Sequence, residues 1–209
     1  MPTMLVLHGA GQSPREMIDR LLPYPGCDGV ALVAPKSLGA TWDVVWELQR
    51  ESLSEPLRLG SSPRYSNSAD GNRVMAAIAE FESRLGKAAS RLSVLGFSDG
   101  AVFALALGTA RDRRFDSVVA LSPGLVVVSA RPARRRPVLV MHGRGDRSLS
   151  FEFTRTTIVP ALRDAGLAVT FQPFVGGHVL PPLPDKATSL LAKSEISNSL
   201  AKCFGASSG

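Results

Sequence analysis

The chain is poor in cysteine: Cys27 and Cys203 are the only two among 209 residues. Two thiols so far apart make no disulfide framework, and they fit a reducing compartment. No metal site is expected. Membrane-spanning length is missing too, since no apolar run approaches the ~20 residues needed to cross a bilayer. The first residues lack the basic region and long apolar core of a signal peptide, and the apolar run Met4 to Leu7 is interrupted at once by His8 and Gly9. The expectation is a cytoplasmic protein without stable membrane insertion. Histidine is scarce as well. His8, His142 and His178 are the full set, so any imidazole chemistry has three candidates.

What is present is enough apolar material for one substantial core: 44% hydrophobic residues and a mean hydropathy of +0.10. A single domain over 1–204 is expected, with 205–209 as a disordered tail. The net charge of +6 and pI near 9.9 would suit an anionic partner. The densest basic cluster, Arg131-Pro-Ala-Arg-Arg-Arg136, is broken by proline and has no interleaved aromatics. It reads as a solvated loop before a strand, and no nucleic-acid partner is expected.

Short apolar runs at Met4 to Leu7, Val30 to Ala34, Leu92 to Phe97, Ser117 to Leu121, Val138 to Met141 and Ala168 to Phe174 read as strands covered on both faces. Helical patterns lie between them: Pro14 to Leu22, about Asp70 to Ser90, the apolar stretch after Ser98, Phe151 to Ala165, and about Asp185 to Lys202. Thr41 to Leu53 fits either an amphipathic helix or a partly ordered loop. Ser54 to Asn72, rich in Ser, Pro, Gly and Arg, reads as a long surface loop. The alternation predicts an α/β fold of about six mostly parallel strands with helices on both faces, in three layers. In such sheets ligands bind beyond the carboxyl ends of the strands.

One stretch organises the chemistry. Gly96-Phe-Ser-Asp-Gly100 sits between a buried strand and an apolar helix, the pattern of a nucleophile elbow that presents Ser98 at a strained turn. A serine hydroxyl needs a base, and the base needs a group to hold its tautomer and stabilise it when charged. His178 follows the last strand in Val175-Gly-Gly-His178, and Asp146 follows the fifth in His142-Gly-Arg-Gly-Asp146. Alone, each has a plainer reading as a structural histidine or a turn aspartate. Jointly they occupy separate loops at strand carboxyl ends in the order Ser, acid, His. Asp112, Asp116 and Asp164 compete for the acid role but fall in or beside helices or at a strand start. For the oxyanion the expected donors are the backbone amides of Asp99 and of Ala10, in the loop His8-Gly-Ala-Gly11. No Gly-Lys-Ser/Thr follows that loop, which argues against a phosphate loop. His8 is expected to order this loop, and His142 to support the acid loop.

Together, Leu7-His-Gly-Ala-Gly11, Gly96-Phe-Ser-Asp-Gly100, His142-Gly-Arg-Gly-Asp146 and Gly176-Gly-His178 resemble the phospholipase/carboxylesterase branch of the α/β-hydrolases, which includes the acyl-protein thioesterases. The four motifs span most of the chain. The resemblance implies a minimal α/β-hydrolase with strand order 2-1-3-4-5-6. It also implies a serine carboxylesterase or thioesterase that works through an acyl-enzyme, without a cofactor, on a small-molecule or acylated substrate. The region Pro35 to Trp46, carrying Trp42, is implied to line the acyl pocket, with Gly9, Gly11 and Val179 as further substrate contacts. A homodimer is left open. Relatives commonly carry Gln after the nucleophile where this chain has Asp99, and a carboxylate facing the oxyanion would oppose the reaction. The competing class is a non-catalytic binding protein that keeps the fold and uses its basic surface.

Overall fold

The computed structural model describes residues 1–23, 30–52, 68–110, 114–126 and 136–181. Cys27, Cys203, Asp112, Arg131 to Arg135, the helix expected over Asp185 to Lys202, the tail 205–209 and most of the expected Ser54 to Asn72 loop lie outside these residues.

Six strands form one sheet: β1 (Pro2–Leu7), β2 (Ala31–Val33), β3 (Arg91–Phe97), β4 (Ser117–Leu121), β5 (Pro137–Gly143) and β6 (Ala168–Phe174). Their order is β2-β1-β3-β4-β5-β6 and every neighbouring pair is parallel. Both expectations hold. The connecting helices are α1 (Pro14–Leu21), α2 (Asp43–Ser52), α3 (Ala69–Leu85) and α4 (Asp99–Thr109). A fifth, α5, runs from Phe151–Phe153 through a π-turn, Thr154–Ile158, to Val159–Asp164.

In β1, β3, β4 and β5 both faces are covered, and successive residues divide between two cores. Leu5, Leu7, Val94, Val118, Ala120, Val138 and Val140 face one core with Trp42, Val74, Ile78, Phe103, Leu107, Ile158 and Leu162 from α3, α4, α5 and the start of α2. Met4, Val6, Leu95, Phe97, Val119, Leu121, Leu139 and Met141 face the other with Met17 and Leu21 of α1. Helix α4 is buried along nearly its whole length, which is why its sequence is apolar all round rather than amphipathic.

Helix starts follow their caps. Ser13 and Glu16 form a reciprocal capping box ahead of Pro14. The Ser68 side chain accepts the Gly71 amide, so α3 begins at Ala69, and residues 69–72 are helical rather than the end of a loop. Thr41 to Leu53 resolves in favour of helix, over Asp43–Ser52. The π-turn was not foreseen. Its cause is Pro160 in the next turn, which has no N–H for the i−4 carbonyl and whose ring crowds that carbonyl; the Val159 amide bonds instead to Thr154 O, five residues back.

Candidate active site

The elbow is built by close backbone approach. Ser98 has φ 55° and ψ −121°, a conformation that costs a non-glycine residue about 1–3 kcal/mol. Its amide donates to Leu121 O at 2.9 Å, while its carbonyl accepts from the amides of Ala101 and Val102 at the start of α4. A Cβ on Gly96 would stand 1.9 Å from Gly100 O, and one on Gly100 would stand 2.3 Å from Leu7 O. Only glycine lets the helix leave the strand this abruptly beside β1.

The loops after β5 and β6 bring two side chains to Ser98. His178 Nε2 lies 3.0 Å from Ser98 Oγ, and His178 Nδ1 lies 2.7 Å from Asp146 Oδ2. An ionised Asp146 accepts only, so Nδ1 carries the proton and Nε2 presents its lone pair to the serine hydroxyl. The Asp146 side chain is wholly buried and accepts two amides at Oδ1, from Ser148 at 2.8 Å and Leu149 at 2.9 Å. Burial pushes its pKa up, but those amides and the His178 imidazole more than offset this and hold the carboxyl below its ordinary range. Of the competing acids among the described residues, Asp116 bonds Leu92 at the amino ends of the strands and Asp164 closes α5, both away from Ser98.

Between Ser98 and β1 lies the turn His8-Gly-Ala-Gly11. Gly9 packs against the serine: a Cβ there would be 3.3 Å from Ser98 Cβ. The Gly9 amide donates to Gln12 Oε1 at 2.9 Å, and the Gly11 amide donates to Ala40 O at 2.8 Å. That leaves the Ala10 amide without an acceptor among the described residues. The Asp99 amide, in the first turn of α4, has no intrahelical acceptor either. His8 orders the turn as expected. It is buried, its Nε2 accepts the Ser37 amide at 3.2 Å, and its Nδ1–H therefore donates to Gly9 O at 2.8 Å. The Asp99 side chain turns to Thr41, whose hydroxyl donates to Oδ2 at 2.6 Å.

No protein-family model matches the sequence, and no curated protein matches it. Solved structures do. Arabidopsis thaliana SOBER1 superposes with a TM-score of 0.64 at 21% identity, over 97% of this chain and 98% of that one. An esterase, PE8, gives 0.63 at 22% identity over 92% of both chains. Zea mays acyl-protein thioesterase 2 gives 0.57 at 20% identity, over 92% and 93%. The fold is an α/β-hydrolase fold, shared with these structures.

Within this α/β-hydrolase fold, the residues expected at the site divide. Ser98, Asp146, His178, Asp99, Ala10 and Gly9 converge at the carboxyl ends of the strands, and Gly11 ties the turn to the segment before α2. Val179 is exposed beside His178. Trp42 must be corrected. It is 0% exposed, donates Nε1–H to His8 O at 2.8 Å and stacks on Phe103 at 5.0 Å. Its ring supports the His8–Gly11 turn from within the core and presents no surface to an acyl chain. The exposed large side chains of that region are Leu38 and Trp46. Sequence reading also missed Thr41 and Gln12. Thr41 lies 58 positions from its partner and carries no local signal; Gln12 is three residues from Gly9 and accepts its amide through a longer side chain than the usual turn residues offer. Among the described residues no group of three or more His, Cys, Asp or Glu could hold a metal ion, and no helix is long and apolar enough to cross a membrane.

Proposed function

We infer that the chain is a serine hydrolase cleaving carboxylic esters or thioesters through an acyl-enzyme on Ser98. The observation that carries this reading is the unbroken line of hydrogen bonds from Ser98 Oγ through His178 to Asp146 Oδ2, with two amides free beside the serine. A core histidine and a turn aspartate have no need of this alignment.

In the proposed reaction His178 Nε2 takes the Ser98 hydroxyl proton as Oγ attacks the acyl carbon. The Ala10 and Asp99 amides receive the oxyanion, a contribution for which each donor is typically worth 10²–10³-fold in kcat, roughly. The tetrahedral species expels an alcohol or thiol, protonated by His178. A water, deprotonated by the same nitrogen, then releases the acid and restores Ser98. Asp146 keeps His178 in the required tautomer and stabilises the imidazolium. The exposed Leu38 and Val179 offer apolar surface for an acyl group.

A fluorophosphonate probe tests the reading. Intact protein should be labelled at Ser98 and Ser98→Ala should not; an unlabelled wild type, or equal labelling of the variant, overturns it. A series of p-nitrophenyl and thioester substrates of rising acyl length would then separate ester from thioester preference. The rival binding-protein reading drew on Asp99 as a sign of lost activity. The bond from Thr41 to that carboxylate favours the hydrolase instead.

A further inference from the structure

Asp146 holds one more partner than the proposed reaction needs. Its Oδ2, which takes the Nδ1–H of His178, also lies 3.0 Å from His142 Nε2. That same nitrogen is 3.3 Å from Leu149 O. With Asp146 ionised both neighbours only accept, so Nε2 carries a proton. On the far side of the ring, Nδ1 is 2.9 Å from Thr154 Oγ1, which is itself 3.0 Å from Pro123 O. His142 and Thr154 are both fully buried, and Thr154 opens the π-turn of α5, a helix defect often found at functional sites.

We propose that His142 is a positioning residue of the site: its Nε2–H is a second, permanent donor to the acid's Oδ2, fixed in that tautomer by the two acceptors it faces, Asp146 Oδ2 and Leu149 O. The proposal rests on the roles given above to Ser98, His178 and Asp146. Neutral His142 fixes the carboxylate and leaves its charge for His178. A charged His142 would set a cation on the oxygen that must stabilise the imidazolium forming on His178, and the reaction would slow. The proton count shows how the ring can charge. In the neutral state Thr154 has one hydrogen for two acceptors, His142 Nδ1 and Pro123 O. In the cation, Nδ1–H donates to Thr154 and the hydroxyl is free for Pro123 O.

The groups facing His142 are Asp146 in the β5 loop, His178 in the β6 loop, the Thr154 hydroxyl, the carbonyls of Leu149 and Pro123, and the edge of Phe151, over whose ring Arg144 sits at 5.4 Å. Burial first, and a charged His178 to a smaller degree, hold His142 below its ordinary 6.5, against the pull of Asp146. It is therefore neutral above about pH 6.5, and it charges on the acid side.

Two measurements test this. Nitrogen-15 NMR of the wild-type histidines should show His142 protonated at Nε2 and bare at Nδ1 near pH 8, a readout that needs no substrate. The pH profile of kcat/KM should steepen on its acid limb from one proton towards two as His142 charges. His142→Gln, which keeps a donor but cannot titrate, should stay at one proton. His142→Leu, without the donor, should lose about 10–100-fold in kcat, the size of one hydrogen bond to a charged group, with KM little changed. Thr154→Val takes the acceptor from the cation and should move the steepening to lower pH; this variant keeps the test alive if the His142 variants do not fold. An Nδ1–H tautomer, or the same acid limb in wild type and His142→Gln, overturns the proposal. A wild type that fluorophosphonate does not label would instead sink the hydrolase reading, whatever tautomer NMR reports.

Discussion

The Thr41 hydroxyl donates to Asp99 Oδ2 at 2.6 Å. It joins the segment before α2 to the residue after the proposed nucleophile, and it decides what a carboxylate does at that position. The Asp99 amide is aimed by the turn into α4, and its side chain is held aside by Thr41. Near a helix N-terminus a carboxylate is also favoured electrostatically.

The expected outcome is an asymmetric pair of variants. Asp99→Asn keeps an acceptor for Thr41 and should change kcat/KM by no more than about threefold, under 1 kcal/mol. Thr41→Val releases the carboxylate towards the oxyanion and should lower kcat about tenfold, ~1.4 kcal/mol. Adding Asp99→Asn to Thr41→Val should recover most of that loss because the released group is then neutral. Steady-state kinetics on a short acyl ester checks all three, and a double variant as slow as Thr41→Val would show that the charge is not the cause.

The turn proposed to hold the oxyanion should be equally sensitive at Gly9. A Cβ there would meet Gln12 Oε1 at 3.0 Å and Ser98 Cβ at 3.3 Å, so Gly9→Ala must displace the Gln12 side chain or the serine. Either shift spoils the alignment of the Ala10 amide. Gly9→Ala should cut kcat at least about tenfold, within the range for a lost oxyanion donor, while KM and the thermal midpoint move little. A normal kcat would place the second donor elsewhere.

What the sequence discloses follows from the range of the physics involved. Strand composition and the glycines around Ser98 are local, so the strands and the elbow could be read from the chain, whereas the sheet order came with the family resemblance. The order Ser98, Asp146, His178 was legible because each stands just past a strand in a parallel sheet, where all carboxyl ends share one edge. Trp42 was misread because an aromatic near a site looks the same whether it faces the pocket or the core. Only packing against Phe103 and His8 decides it. Thr41 with Asp99, and Thr154 with His142, are bonds across the fold whose members have no periodic or capping signal. The π-turn escaped because Pro160 usually marks a helix start and here acts inside one.

The elbow glycines should govern stability rather than chemistry. In Gly96→Ala and Gly100→Ala the new methyl meets backbone at 1.9 and 2.3 Å, and neither a strand nor a buried helix start can yield without losing its neighbours. Each should cost about 4 kcal/mol or more, the severe end for single substitutions. Gly39→Ala is the control: its nearest neighbour would be Thr41 O at 3.5 Å, ordinary contact, and the change should stay within about 0.5 kcal/mol. Urea unfolding followed by circular dichroism checks the contrast.

Acid should destabilise the fold in two stages. His142 has its folded pKa depressed below 6.5, chiefly by burial. The unfolded chain therefore binds that proton first, and the contribution is complete above about pH 6.5 and lost as pH falls towards the folded value. Asp146 has the same sign at lower pH. Its folded pKa lies below 3.8, so its contribution is complete above that value and is lost as pH drops through the folded one. Each proton can change stability by at most about 1.4 kcal/mol per pH unit. Wild type should therefore lose urea midpoint between pH 6.5 and 5, a window in which Asp146 stays ionised in both states. In His142→Gln that window should be flatter. If the two proteins fall in parallel from pH 6.5, the buried imidazole is not the group that carries the first stage.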